Sequence, residues 1–175
     1  MFNYCPECAS KNITFKEGKV FRCPDCGFVY YHNIAAATGC IISVSDDDGE
    51  KLVFLVRGKE PATGKLDLPG GFVDVGEGVI EGLKRELQEE IGWIPSVPPK
   101  LFASFPNVYN YKGIDYNTCD MYFSVSAPGL KPQDLHLEEA EVTGVRFLKP
   151  DEIDFNQLAF PSTVKAVKAY LDILD

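Results

Sequence analysis

An α/β fold is predicted for most of this chain, a mixed β-sheet between helices, preceded by a small β module. Three observations predict it. Apolar and β-branched runs of strand length recur between turn signals over residues 35–57 and 100–148. One stretch between Gly78 and Gly92 and another over Pro161–Leu174 carry apolar residues at helical spacing. Four of the six cysteines fall in two CxxC pairs near the start.

With 175 residues and 45% hydrophobic content, the chain suffices for one sizeable core plus an accessory module. No run of about 20 apolar residues occurs, and the start MFNYCPECAS has neither a basic nor an apolar region. The expectation is a cytoplasmic protein with no signal peptide and no membrane contact. The formal charge of −9 argues against a general nucleic-acid grip, which needs basic surface to displace counterions. An anionic small substrate stays compatible, because bound cations reverse the local sign.

Residues 1–33 read as a zinc ribbon. Cys5-Pro-Glu-Cys8 and Cys23-Pro-Asp-Cys26-Gly27 are separated by fourteen residues. Each CxxC turn points two thiolates at one centre, and the two turns complete a tetrahedral S₄ site suited to Zn²⁺, with rubredoxin-like iron the main alternative. The segment between them alternates like two short strands around a Glu-Gly turn. His32 reads as a surface hydrogen-bonding residue rather than a ligand. The module serves either as a buttress, for the next domain or for a homodimer contact, or as a recruiting surface.

Residues 34–175 form the second expected domain. Ala35 to Ser45 and Lys51 to Arg57 read as strands joined by the Asp46-Asp47-Asp48-Gly49 turn, the second strand central because it is apolar on both faces. Arg57 ends that strand before the loop GKEPATGKLD. It has two readings, a bidentate phosphate ligand or a surface arginine paired with Glu60, and Lys65 is a weaker phosphate candidate. Lys100 to Tyr111 and Ile114 to Ala127 form a long hairpin around Lys112-Gly113, in which Pro106 and Asn107 are expected to interrupt the ladder. Glu141 to Leu148 is a further strand, Pro150 to Asp154 a short helix start, and Pro161 to Leu174 a closing helix whose core face is Val164, Val167, Leu171 and Leu174. Cys40 and Cys119 read as buried apolar thiols.

The stretch GFVDVGEGVIEGLKRELQEEIGW, Gly71 to Trp93, organises the domain. Ile80, Leu83, Leu87 and Ile91 form one helix stripe, while Glu86, Glu89 and Glu90 share another face. Carboxylate pairs that close repel by about 1 to 4 kcal/mol each at intermediate dielectric, so a positive partner is required. Arg85 is expected to neutralise only one neighbour. An all-oxygen set suits Mg²⁺ or Mn²⁺, which also hold phosphate oxygens. The plain alternative is a solvated glutamate-rich surface helix.

Gly71, Glu77, Arg85, Glu86, Leu87, Glu89, Glu90 and Gly92 fall at every fixed position but the last of the pattern GX5EX7REUXEEXGU, so the stretch resembles the Nudix box. Trp93 stands at the last position, where the family has an aliphatic residue. The preceding Leu68-Pro69-Gly70-Gly71 resembles the family's lead-in. The resemblance covers roughly residues 34–175 and implies an αβα sandwich. It implies that Glu86, Glu89 and Glu90 bind the divalent cations and that Glu77 pairs with Arg85 to fix the helix. It also implies that a loop glutamate, Glu139 or Glu138, assists the attacking water. A zinc ribbon before such a domain is similar to the NADH pyrophosphatase arrangement, but that family's SQPWPFPxS motif is absent. SFPNVYNYKG stands in its place.

The expected activity is metal-dependent hydrolysis of a nucleoside diphosphate linked to a group X, releasing a nucleoside monophosphate. Gly71 in the lead-in and Arg57 are expected at the substrate, with Phe105, Tyr109 and Tyr111 as base-stacking candidates. The alternatives are a nucleotide-sensing module whose ribbon docks a protein or nucleic acid, and a hydrolase of RNA 5′ ends.

Overall fold

The computed structural model describes residues 2–174, with the side chain of Leu174 outside the described residues. The chain divides into two compact units, Met1–Ile34 and Ala35–Asp175.

The first unit is an antiparallel sheet of β1 (Thr14–Lys16), β2 (Val20–Arg22) and β3 (Val29–Tyr31), in that order. Glu17 and Gly18 make the expected turn, with φ of 53° and 68°. The third strand was not legible from alternation, since VYY is exposed throughout. Phe21 is the buried centre of the unit, with Phe2 and Phe28 edge-on at 5.4 and 6.1 Å.

The second unit contains β4 (Ala35–Asp46), β5 (Gly49–Arg57), β6 (Leu66–Asp67), β7 (Lys100–Tyr111), β8 (Ile114–Ser126) and β9 (Val142–Leu148), with helices α1 (Val79–Ile91) and α2 (Pro161–Leu174). The sheet runs β6-β5-β4-β8-β7, with β9 on the other edge of β5. Only the β4–β8 pair is parallel, so the sheet is mixed. Alternation along β4 divides the core. Cys40, Ile42 and Val44 pack with Leu83, Leu87 and Ile91 of α1, while Ile41 packs with Ala166, Val167 and Tyr170 of α2. Leu52 to Leu55 are buried because β5 is covered on both faces, as its sequence requires. The result is the expected αβα sandwich. Each fully buried leucine or isoleucine of α1 contributes about 1.5–3 kcal/mol, so Leu87→Ala is the single change that most directly loosens this helix.

Two local details differ from expectation. Pro106 and Asn107 do not interrupt the ladder: they pair with Cys119 and Thr118, and the irregularity lies between Leu101 and Ala103. Strand β7 is an edge strand, where a missing N–H costs no ladder bond. Cys119 is half-buried, unlike the fully buried Cys40. Trp93, at the departing box position, packs on the α1-side core.

The site is positioned where β4 and β5 part beyond the Ser43–Leu52 pair. The lead-in fills that gap: Cys40 N–H donates to Pro69 O, Thr38 N–H to Gly71 O and Val73 N–H to Ala36 O, at 2.8 to 3.0 Å. Only glycine fits at Gly70, since φ is +141° and a Cβ would stand 2.2 Å from Thr38 O. At the other end of α1, Gly92 adopts the left-handed cap. The orphan carbonyls of Ile91 and Glu90 accept from the amides of His136 and Glu138, which stitches the 130–141 loop to the helix.

Candidate active site and cysteine cluster

A cleft of about 440 Å³ opens between α1, the lead-in, the 138–141 turn and the start of α2. Its lining holds eight carboxylates against two basic side chains, Arg57 and Lys59. Arg85 braces the acidic face from below. Its Nη2 meets Glu77 Oε1 at 2.7 Å, its Nε meets Glu77 Oε2 at 3.2 Å, and its Nη1 lies 2.9 Å from Glu86 Oε1 and 3.0 Å from Glu89 Oε2. Expected to serve one neighbour, Arg85 instead shares its single positive charge among Glu77, Glu86 and Glu89, so the acidic face stays short of positive charge. The planar fork of the guanidinium carries five N–H donors and reaches both the loop and the helix. Arg85 and the Asp74 amide together hold the Glu77 carboxyl below its usual range.

Glu90 is in a different situation. Its Oε2 accepts from the Gly70 amide at 2.8 Å, and no basic side chain pairs with it among the described residues. Desolvation, with Glu86, Asp67 and Glu141 nearby, pushes its carboxyl up to about 8. Burial also raises Glu86, against the pull of Arg85. Gly71 lets Glu86 approach: a Cβ there would lie 2.5 to 2.7 Å from the Glu86 carboxyl group. Arg85 draws Glu86 and Glu89 to itself while Gly70 holds Glu90. Accordingly the three helix carboxylates do not close into one tight cluster, and the Cys set alone, among the described residues, brings its ligand atoms within 4.8 Å of one another.

The remaining expected site residues are dispersed. Tyr109 and Gly71 line the cleft, but Phe105, Tyr111 and Glu139 do not. Phe105 packs on the α2-side core, Tyr111 lies exposed toward the hairpin tip with Lys112 over its ring, and Glu139 is exposed on the turn. Glu138 and Glu141 take the cleft positions instead, Glu141 in an ion pair with Lys59. Arg57 lines the cleft and does not pair with Glu60: it pairs with Asp67 at 3.0 Å, donates to Pro61 O at 2.8 Å and stacks on Phe160 at 4.9 Å, while its Nη2 is buried with no hydrogen-bond partner among the described residues. Lys65 donates to Asn156 O, away from the cleft. Asp120, Asn107, Phe72 and Phe160 also line the cleft and were missed, because only the docking of α2 and the lead-in makes their strand faces part of a site.

In the first unit, Cys5 and Cys26 sulfurs lie 3.6 Å apart, as do those of Cys8 and Cys23. A tetrahedral site with Zn–S near 2.3 Å has S···S edges of about 3.8 Å, so the set fits one zinc-sized ion. The turns match: Ala9 N–H donates to Cys5 O and Gly27 N–H to Cys23 O, each at 2.9 Å. His32 is exposed, beside the Gly18 carbonyl, and no part of the set.

A family model described as the NUDIX domain matches residues 34–170. The chain belongs to the Nudix family. The Nudix fold is shared with the NUDIX domain of Shewanella oneidensis NrtR complexed with ADP ribose, at a TM-score of 0.69 and 16% identity over 83% of this chain and 91% of that one. A NUDIX hydrolase from Nitrosomonas europaea matches with a TM-score of 0.68 and 25% identity over 98% of this chain and 91% of that one. Among curated relatives, an ADP-ribose pyrophosphatase of Methanocaldococcus jannaschii is 39% identical over 69 residues, 39% of this chain and 38% of that protein. An NAD-capped RNA hydrolase NudC of Vibrio cholerae is 26% identical over 84% of this chain and 51% of its own length. The Nudix chain thus spans about half or less of these two proteins. No helix among the described residues is long and apolar enough to cross a membrane.

Proposed function

We propose that the Nudix domain is a pyrophosphohydrolase, cleaving a nucleoside diphosphate linked to X, of ADP-ribose or dinucleotide type, to a nucleoside monophosphate. The observation that carries this reading is Glu90: a desolvated carboxyl with a backbone donor, no basic partner among the described residues and a place in a cleft of eight carboxylates. That donor set is all oxygen and short of positive charge, which fits Mg²⁺ or Mn²⁺. Glu86, Glu89 and Glu90 would hold the cation. When bound, it supplies neutralisation of the diphosphate and a more acidic water. The names of the relatives, which specify ADP-ribose and NAD-capped RNA, support a substrate of this class.

The chain's own residues do the rest. Arg85 and Glu77 fix the loop on the helix, and the Gly70 amide fixes the direction of Glu90. Glu138 or Glu141 accepts the proton of the attacking water, whose oxygen bonds to one phosphorus while the bridging P–O bond breaks. The Cys5, Cys8, Cys23 and Cys26 set holds one Zn²⁺ that supports its own small fold.

The test is phosphate release, after a coupled phosphatase, from a panel of ADP-ribose, dinucleotides, nucleotide sugars and nucleoside triphosphates with Mg²⁺ or Mn²⁺. Turnover of a diphosphate-linked member is expected; binding without any turnover would overturn the assignment in favour of a nucleotide sensor.

A second reading keeps the chemistry and makes X the body of a nucleotide-capped RNA. One face of the ribbon sheet favours it. The cross-strand partners Lys16, Val20 and Tyr31, and beside them Thr14, Arg22 and Val29, form a face with two cations, an exposed aromatic ring and no carboxylate. Steep salt dependence of RNA binding, lost in Arg22→Ala with Tyr31→Ala, is the expected mark of this substrate.

A further inference from the structure

Asp67 and Asp120 are held alike by the first turn of α2. Thr163 Oγ1 donates to Asp67 Oδ1 at 2.8 Å, and Ser162 Oγ donates to Asp120 Oδ2 at 2.7 Å. Both carboxylates line the cleft and both are withdrawn from water, with Asp120 only 8% exposed. They differ in their charge partner. Asp67 faces the Arg57 guanidinium at 3.0 Å. Asp120 has a second hydroxyl, Thr118 Oγ1 at 2.5 Å, and no cation among the described residues.

Hydroxyl donors alone leave a buried carboxylate under-compensated, and each of its oxygens keeps a further lone pair. An N–H donor brought by a ligand completes the set. The neighbours indicate its chemistry. Alternation places Thr118, Asp120 and Tyr122 on one face of β8, and Asn107 of β7 stands opposite Thr118. Two residues on, Tyr109 carries Phe72 edge-on at 5.5 Å and Phe160 at 5.6 Å. An aromatic wall therefore adjoins an edge with an amide, which donates and accepts, and a carboxylate, which only accepts. A phosphate is repelled there, and a sugar offers the carboxylate only further hydroxyls of the kind it already has. A flat ring with amino hydrogens on its edge uses both.

We propose that this end of the cleft is the nucleobase subsite: Tyr109 stacks on the base, and Asp120 accepts a hydrogen bond from an exocyclic amino group of it. The inference rests on the nucleotide reading above and names the class of base. Ser162 and Thr118 act as positioning residues that orient the carboxylate. The acidic face of α1 then takes the diphosphate, and the base determines which nucleotides enter.

The experiment measures equilibrium binding, so it does not depend on turnover. The probes are two pairs, AMP with purine ribonucleoside 5′-monophosphate, and GMP with IMP, each pair differing by one amino group. The native chain should bind the amino-bearing member of at least one pair about tenfold or more tightly than its partner. In Asp120→Asn that ratio should fall to within about threefold, while Tyr109→Ala should weaken both members alike. Equal binding within both pairs by the native chain overturns the proposal, and so does a ratio that survives in folded Asp120→Asn. The native comparison stands even if that variant does not fold. A chain that discriminates the amino group but hydrolyses nothing overturns the hydrolase reading and keeps the subsite. A chain that hydrolyses and ignores the amino group does the reverse.

Discussion

Arg85 grips Glu77 at two points, Nη2 to Oε1 at 2.7 Å and Nε to Oε2 at 3.2 Å, while the same guanidinium reaches Glu86, Glu89 and the Phe72 carbonyl. One side chain thus ties the glycine loop to the acidic helix. Glu77→Gln removes the charge from one of the carboxylates that Arg85 holds, and Arg85→Lys removes the fork without removing the charge. Both are expected to lower kcat/KM about ten- to a hundredfold by misplacing the carboxylates they support. Steady-state kinetics across a Mg²⁺ titration checks this; an unchanged Mg²⁺ dependence in both variants contradicts it.

Gly71→Ala puts a Cβ into the Glu86 carboxyl group at 2.5 to 2.7 Å. The obstacle is the end of a flexible side chain, so Glu86 swings away and the backbone keeps its course. The expected result is a Tm within a few degrees of the native value together with activity about ten- to a hundredfold lower. A large fall in Tm with normal specific activity in the folded fraction would contradict it.

The raised carboxyl of Glu90 makes stability depend on pH. Its folded value of about 8 lies above the ordinary 4.5, so the folded state binds the proton more tightly. That contribution is complete below about pH 4.5 and lost as pH rises through about 8. Without added divalent cation, chemical denaturation should show stability falling by about 1–3 kcal/mol between those limits from this group. Glu90→Gln should remove this component, and Mg²⁺ should restore stability most at the alkaline end. An identical pH profile in the variant contradicts the assignment.

Four sulfurs at zinc-sized separations predict one Zn²⁺ per chain. Elemental analysis should find it, and Cys8→Ser or Cys26→Ser should abolish tight retention. Chelation should erase the chemical-shift dispersion of residues 5–32, since a sheet of three-residue strands around one phenylalanine is too small to stand alone. Persistence of that dispersion without metal contradicts the reading.

The parts of the site that were legible are local in sequence. The helix and its caps, the shared face of Glu86, Glu89 and Glu90, and the Glu77–Arg85 pair are all set within Gly71–Gly92, and so is the αβα architecture through its motif. The parts that were not legible depend on long-range docking. Arg57 finds Asp67 because β6 lies against β5, where Glu60 is nearer in sequence. Phe105 and Tyr109 share a face of β7, yet α2 covers the first and leaves the second to the cleft. Glu141 replaces Glu139 because the turn is stitched to Gly58 and to the end of α1, which fixes which glutamate faces inward. Asp120 gave no signal at all until α2 brought Ser162 to it.

The central claim is that Glu90 is part of a cation-dependent hydrolytic site. The measurement that tests it most directly is kcat for Glu90→Gln against the native chain, at saturating Mg²⁺ and with the best substrate of the panel, on protein of matched fold and zinc content. The predicted result is a fall of about two orders of magnitude or more, because the isosteric amide keeps the shape and loses the charge. A variant that retains kcat within a few-fold of native would contradict the account.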